Sequence, residues 1–376
     1  MKTSRVAVFH GPGRPFAWED VPLPEPVAGE VLVRNEYTTL CRSDLNTFAG
    51  KRTEKTPTIL GHEVVGRIES LGPGPALRDL RGAALRIGDR VTWAIYASDP
   101  DSPLARAGIP QKADGLFKYG HERIGPGSHL HGGLAEHCLL RAHTPIVRVD
   151  APIPSTVLAL VNCAVATVAG ALRMAGGVEG RNVLVGGAGM LGILACAMSR
   201  VAGAKRVLAL DVDPARLEAA RRFGVDEVLL ASARDGGTET RGILGDRLPG
   251  EAVTVAFDFS GVPATMEALL SSLGIGGTLV LVGATYPQRP MQVDAERLVR
   301  NLHTLRGLHN YNGDDFLAAV GFVERHHGDF PFVDLVCDRF TLDEVDQAFA
   351  YGISSGAHRV GIRCECRRNV TEHGIG

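Results

Sequence analysis

The sequence predicts a mixed α/β chain in two parts, a β-rich part with long loops and a doubly wound parallel sheet. Three observations carry that prediction. At 376 residues the chain is longer than one compact core of usual size accommodates. Residues 1 to about 150 read as short β segments broken by Gly and Pro. From about residue 164 apolar strands alternate with helical patterns, at the spacing that right-handed βαβ units and a parallel sheet require.

The elements follow in order. RVAVFH, GEVLVRNEY, EVVGRIESLG, GDRVTWAIYA and the run around HCLLRAH are the β segments of the first part. RNVLVGG, MLGILACAMSRVAG, RVLALD, PARLEAARRFG, EAVTVAFDFSG, PATMEALLSSLG and GTLVLVG then alternate strand with helix. After about residue 308 the pattern is mixed again, with FLAAVGFVERHH and LDEVDQAFAYGI as helices and HRVGIRCE as a closing strand.

Composition narrows the function classes. Forty Lys and Arg nearly balance 42 Asp and Glu, so no global field draws the chain to nucleic acid or an anionic membrane surface. The longest uncharged run, Asn182 to Ser199, is interrupted by glycines and reads as a buried strand and helix, not a membrane span. With 46 glycines and 21 prolines, about 18 per cent against a usual ~12 per cent, the chain needs many tight turns or close backbone approaches. Seven scattered cysteines, an odd number, and a first segment without an apolar signal region lead us to expect a reduced, cytoplasmic protein.

Gly187-Ala188-Gly189-Met190-Leu191-Gly192 follows the strand VLV and opens a helix, and Asp211 ends the next strand 19 residues after Gly192. The first glycine permits the turn, the second lets backbone amides reach a pyrophosphate, and the third lets helix pack on strand. Asp211 can accept from a ribose 2′-hydroxyl and repels a 2′-phosphate, so NAD is expected over NADP. A Gly-rich turn alone also has structural uses; strand, glycines, helix, second strand and acid arriving in order favour the dinucleotide.

Cys41 and His62 lie in the β-rich part, and Cys163 stands where one part hands over to the next. Two thiolates and one imidazole leave a tetrahedral position open, as catalytic zinc requires. Spacing does not choose these three: a buried cysteine is more often packing, and a lone histidine more often a satisfied polar group.

The order LCRSDLNTFAG, GHEVVG, GDRV, GGLAEH, NCAVAT, VGGAGMLG, VLALDVDPARL and GGTLVLVG resembles the zinc-dependent medium-chain alcohol dehydrogenase superfamily over essentially the full length. The resemblance implies a GroES-like catalytic domain, 1–163 and 308–376, and a Rossmann NAD-binding domain, 164–307. It implies Cys41, His62 and Cys163 as ligands of one catalytic zinc, Asp44 as the acid that orients His62, Glu63 as the acid beside the metal, and Ser43 as the hydroxyl that takes the substrate proton. It implies Arg42 and Arg359 as pyrophosphate contacts, Arg216 near the adenosine ribose, and Thr167 with the glycine-turn residues at the cofactor. A homodimer or homotetramer, built through edge strands of the cofactor domain, is the assembly it implies.

Two departures change the expectation. The loop after GDRV, ASDPDSPLARAGIPQKADGLFKYG, has no cysteine, where many relatives hold a structural zinc, so one zinc per chain is expected. Asn46 stands where many relatives have a proton-relaying histidine, and Asn does not titrate near neutral pH. LFKYGHE, with His129 and His131, and His309-Asn310-Tyr311 are the polar clusters available to a substrate. LFKYGHE and TLRGLHNY resemble a subgroup linked to cyclitols and to phosphonate metabolism. The expected substrate is therefore a polar secondary alcohol or ketone, a polyol or cyclitol first, with a phosphonate-related or simple alcohol and a catalytically silent relative as alternatives. Cys138, Cys196 and Cys337 are expected in the core, and Cys364 and Cys366 as incidental.

Overall fold

The computed structural model describes residues 2–126, 129–231 and 250–365. Contacts divide the chain into two units, 1–162 with 333–376 and 163–332.

In the first unit β1 (Thr3–Val8) pairs antiparallel with β2 (Ala17–Pro22). The second of these strands was not read from the sequence: its exposed acidic residues and flanking prolines hide the β pattern. The main sheet runs β16 (Val336–Thr341), β17 (Arg359–Arg363), β3 (Val31–Leu40), β4 (Glu63–Leu71), β5 (Arg90–Trp93), β9 (Ile146–Arg148), with β8 (His137–Leu140) also on β3. Its strands alternate apolar side chains into two buried clusters, one around Phe9, Phe16, Leu45 and Phe349, the other around Val33, Val64, Trp93 and Tyr119. A two-stranded piece, β6 (Tyr96–Ala97) with β7 (Phe117–Lys118), frames the loop that carries helix α2 (Pro103–Arg106). Helix α1 (Arg42–Phe48) leaves the end of β3, and α9 (Val345–Ser354) packs its buried Phe349 into the first cluster.

Helix α3 (Ser155–Met174) is long and apolar enough to cross a membrane by composition, and most of it is buried inside the protein, as a core helix. Its middle, Val161–Val165, is π-helical. There Asn162, fully buried, accepts from the Val64 amide and donates to the Val64 carbonyl, both at 3.2 Å.

The second unit is a six-stranded parallel sheet. In order these are β12 (Glu227–Leu230), β11 (Arg206–Asp211), β10 (Asn182–Gly186), β13 (Val253–Asp258), β14 (Leu273–Leu281) and β15 (Thr304–Gly307). Strand order reverses after β10, at the switch point where ligands bind in doubly wound sheets. Helices α4 (Met190–Val201), α5 (Pro214–Arg221), α6 (Pro263–Ser272) and α7 (Ala295–Arg300) connect the strands. The expected change of domain at residue 308 falls elsewhere: residues 308–332 belong to the second unit. The reason is α8 (Gly313–His326), whose N-terminal Asp315 takes a bidentate pair from Arg173 on α3, at 2.7 and 2.9 Å. Neither partner is near the other in sequence.

Replacing Asn162 with Ala strips two buried hydrogen bonds from Val64. The expected loss is about 2 to 3 kcal/mol of unfolding free energy, read as a lower urea midpoint of the purified chain.

Candidate active site

Three adjacent strands gather the polar groups of the first unit. Register pairs Thr39 on β3 with Glu63 on β4, and Leu40 on β3 with Val360 on β17. Cys41, His62, Glu63 and Arg359 therefore sit side by side where the strands end. Cys163, next to the tethered Asn162, joins them: donor atoms of Cys41, His62, Glu63 and Cys163 all lie within 4.8 Å of one another. This is the site that the resemblance implied and that spacing alone left open.

Each donor is held. Cys41 precedes α1, and its amide donates to Asp44 Oδ2 at 2.9 Å. Asp44 Oδ1 accepts from the Gly61 amide at 3.4 Å and lies 3.4 Å from His62 Nδ1, so a carboxylate stands behind the imidazole and leaves Nε2 for a metal. Burial works against an imidazolium at His62, but Asp44 and Cys41 outweigh it and raise its pKa well above the ordinary value. Such a basic ring is a strong ligand. Ser43, half-buried on α1, and Asn46 on the same helix complete the segment.

Glu63 has another engagement. It is fully buried, its Oε2 accepts from Thr39 Oγ1 at 2.5 Å and Arg359 Nε at 2.8 Å, and its Oε1 accepts from Arg359 Nη2 at 2.9 Å. Burial pushes the carboxyl up while Arg359 pulls it down. Arg359, expected at a pyrophosphate, is 3 % exposed and committed to Glu63, with Nη2 also 3.6 Å from Cys41 Sγ. Sequence reading missed this pair because 296 residues separate its members. With Glu63 neutralised in this way, two thiolates and His62 form the donor set, which fits tetrahedral zinc with one open position.

The loop after β5 lies against the metal ligand. A Cβ at Gly120 would meet the Gly61 carbonyl at 2.6 Å and His62 Cβ at 3.2 Å, so only glycine fits. The next residue, His121, has its ring centroid 4.9 Å from that of His62. Its Nδ1 lies 3.0 Å from Glu54 Oε1, and Arg52 Nη2 lies 2.6 Å from the same oxygen. Burial would raise the Glu54 carboxyl, but His121 and Arg52 hold it below the usual carboxylate range. Burial outweighs Glu54 at His121 and keeps that ring's pKa low. Burial, with Lys112 and Arg52 nearby, also holds the Lys118 ammonium below its ordinary value.

The other polar candidates separate. The Tyr119 hydroxyl lies 2.6 Å from Thr144 Oγ1 and accepts from the Arg141 amide, Glu122 accepts from Lys55, and His129 is exposed. His131 is buried with both ring nitrogens unpartnered, and burial pushes its pKa down to about 4. Tyr311 is core, stacked on Phe316 at 6.1 Å, between exposed His309 and buried hydrophobics. Cys138 and Cys196 are core, Cys337 is half-buried, Cys364 is buried against the Gly133 carbonyl, and Cys366 lies outside the described residues.

In the second unit the glycine turn has the form a dinucleotide needs. Gly187 adopts φ +91°, and a Cβ there would meet the Ser260 amide at 2.7 Å. A Cβ on Gly192 would strike the Gly187 carbonyl, whereas one on Gly189 would enter open space, the room through which a pyrophosphate reaches the amides at the start of α4. Met190 and Leu191 form the first turn of that helix. Asp211 closes β11, its Oδ2 accepting from the Ala188 amide at 2.7 Å and its Oδ1 from the Asp213 amide at 2.9 Å. The acid is thus bonded to the glycine turn itself. Arg216 on α5 pairs with Asp213 at 3.5 Å, and Thr167 is buried on α3. Arg42 is exposed at the start of α1 in the first unit.

A cysteine–histidine metal pocket in a β-rich unit, together with a parallel-sheet unit carrying a dinucleotide turn, defines the class: a metal- and dinucleotide-using oxidoreductase. Comparison with known proteins agrees. Residues 27–151 match the alcohol dehydrogenase GroES-like domain, and residues 191–325 the zinc-binding dehydrogenase family. The chain is 32% identical over 288 residues to the acryloyl-coenzyme A reductase of Sulfurisphaera tokodaii, covering 76% of this chain and 78% of that one. It is 28% identical over 357 residues to the 5-exo-hydroxycamphor dehydrogenase of Pseudomonas putida, covering 93% and 95%. Among solved structures, an alcohol dehydrogenase of Thermotoga maritima matches with TM-score 0.88 and 25% identity over 96% of this chain and 100% of that one. The chain belongs to the zinc-binding medium-chain alcohol dehydrogenase superfamily, and is an oxidoreductase whose cofactors are zinc and a nicotinamide dinucleotide.

Replacing Asp44 with Asn removes the charge behind His62 and is expected to weaken zinc about 10- to 100-fold in chelator competition. Replacing Cys163 with Ser is expected to lower bound zinc and turnover together, the metal measured by plasma mass spectrometry.

Proposed function

We propose that the chain is an NAD-dependent dehydrogenase of a polar secondary alcohol, a polyol or cyclitol, with one zinc per chain. The observation that carries the reading is the convergence of Cys41, His62 and Cys163, with Asp44 behind the histidine and Ser43 on the adjoining helix turn. When bound, zinc supplies the Lewis acidity that brings a hydroxyl pKa towards neutrality, and NAD supplies the hydride acceptor.

The chain's own residues do the rest. Cys41, His62 and Cys163 hold the metal, and Asp44 fixes the tautomer of His62. Ser43 Oγ receives the hydroxyl proton. Asn46 cannot carry it further as an acid or base, so it passes to water or a cofactor hydroxyl. Arg359 neutralises Glu63 and packs beside Cys41. Gly187, Gly189 and Gly192 with the start of α4 seat the dinucleotide phosphates, and Asp211 favours the unphosphorylated ribose.

The polar wall of Arg52, Glu54 and His121 supports a substrate with further oxygens, and the hydroxycamphor relative acts on a ring alcohol. A second reading has its own support: Lys118 beside Lys112 and Arg52 suits an anion-bearing alcohol such as a hydroxyalkyl phosphonate. Seven scattered cysteines, an odd number, fit a reducing, cytoplasmic setting. Strand β15 is the last of its sheet, with exposed Ile275, Val299 and Leu302 in the same unit, which supports a homodimer or homotetramer built there.

Near-ultraviolet absorbance of NADH, followed with zinc-replete protein over simple alcohols, linear polyols, cyclitols and hydroxyalkyl phosphonates, is expected to rise for polyols or cyclitols. Turnover confined to phosphonates would select the second reading, and silence of a chain that binds zinc and NAD would reject the polyol and cyclitol assignment. Replacing Asp211 with Ala is expected to lower the NAD:NADP ratio of kcat/KM at least 10-fold; an unchanged ratio would reject its ribose role.

A further inference from the structure

We propose that His121 binds the substrate beside the metal, its Nε2 accepting a hydrogen bond from a second hydroxyl adjacent to the reacting carbinol, so that the site selects vicinal diols and hydroxylated rings. The proposal rests on the dehydrogenase reading above and deepens it.

The tautomer follows from the partners. His121 Nδ1 faces the Glu54 carboxylate at 3.0 Å, so the ring proton resides on Nδ1 and the lone pair on Nε2. Arg52 pairs with the same Glu54 oxygen and keeps that carboxylate charged and in place. The one hydrogen bond of the ring among the described residues is that of Nδ1, and Nε2 is not among the atoms closed off from solvent without a partner. A neutral imidazole held in this way offers an acceptor, and an acceptor selects a donor: a hydroxyl satisfies it, whereas an ether oxygen or a phosphonate does not.

The place is fixed by packing as well. The ring stacks on His62, centroids 4.9 Å apart and planes tilted by 36°. The preceding Gly120 admits no side chain because the Gly61 carbonyl and His62 Cβ fill the space, and its amide donates to the His131 carbonyl at 2.7 Å. The His121 side chain is 11% exposed and Glu54 9%, so a hydroxyl that meets Nε2 there is largely shielded from competing water. A ring packed on a metal ligand addresses atoms next to the reacting carbon, not remote ones. Sites built to bond a substrate hydroxyl reject the analogue that lacks it more strongly than apolar pockets discriminate by size.

The test uses the full, zinc-replete chain with NAD and three probes sharing one carbinol: cyclohexane-1,2-diol as separate cis and trans isomers, 2-methoxycyclohexanol and cyclohexanol. The expected result is a preference in kcat/KM for one diol over both ether and cyclohexanol of about 10- to 100-fold. His121→Phe should remove that preference, mostly through a raised KM for the diol, while zinc content stays that of the parent. His121→Gln, which keeps an acceptor, should restore part of it. A diol preference that survives in His121→Phe, or an ether used as well as the diol, would overturn the proposal and leave the dehydrogenase standing. Loss of all turnover in His121→Phe with zinc retained would assign the residue a general role and also overturn it. Inactivity of the parent chain towards every probe with zinc bound would remove the polyol and cyclitol reading and this proposal together.

Discussion

The pairing register of three strands is the constraint on which the metal pocket depends. With Thr39 opposite Glu63 and Leu40 opposite Val360, the ends of β3, β4 and β17 place Cys41, His62, Glu63 and Arg359 together. Side chains alternate along a strand, so a slip of one residue would turn every one of them to the opposite face. The apolar faces of β3 and β4 prevent that slip, because Val33 and Val64 would leave the cluster around Trp93. The core thus fixes the register, and the register fixes the donor set.

A buried charge shares that location, and its balance explains Arg359. A carboxylate at the fully buried Glu63, near two cysteine sulfurs, would be costly unpaired. Arg359 meets it bidentately and Thr39 Oγ1 donates as well, so both carboxylate oxygens are satisfied. The guanidinium also lies 3.6 Å from Cys41 Sγ, so one side chain holds the buried acid and touches a metal donor. A residue that the family pattern suggests for phosphate is, in the first unit, part of the support of the metal pocket.

What the sequence made legible was local. The glycine turn is readable because each glycine answers a constraint within a few residues, and Asp211 because it ends the following strand; its bond to the Ala188 amide joins the two. Cys41 and His62 became readable only through the order of several motifs. What stayed hidden was non-local: Arg359 with Glu63, Glu54 with His121 across 67 residues, and Arg173 with Asp315, which carries residues 308–332 into the second unit. The run LFKYGHE offered four polar side chains, Lys118, Tyr119, His121 and Glu122, and packing separates them. Tyr119 and Glu122 are spent on neighbours, while the His121 ring packs, tilted, against that of the metal ligand His62.

The third donor raises a different question, since Cys163 comes from the middle of an apolar helix. Successive residues of a regular α-helix point about 100° apart. Yet Asn162 must bond the backbone of Val64 while its neighbour presents sulfur among Cys41 and His62. The π-helical stretch Val161–Val165 answers this demand locally, because a wider turn shifts the side-chain directions without ending the helix. The wider turn is held in place because both Asn162 bonds are buried and the surrounding helix is mostly buried. The helix irregularity and the strand register therefore solve one problem from two directions: one delivers a thiol, the other two donors, and the Asn162–Val64 bonds lock them together.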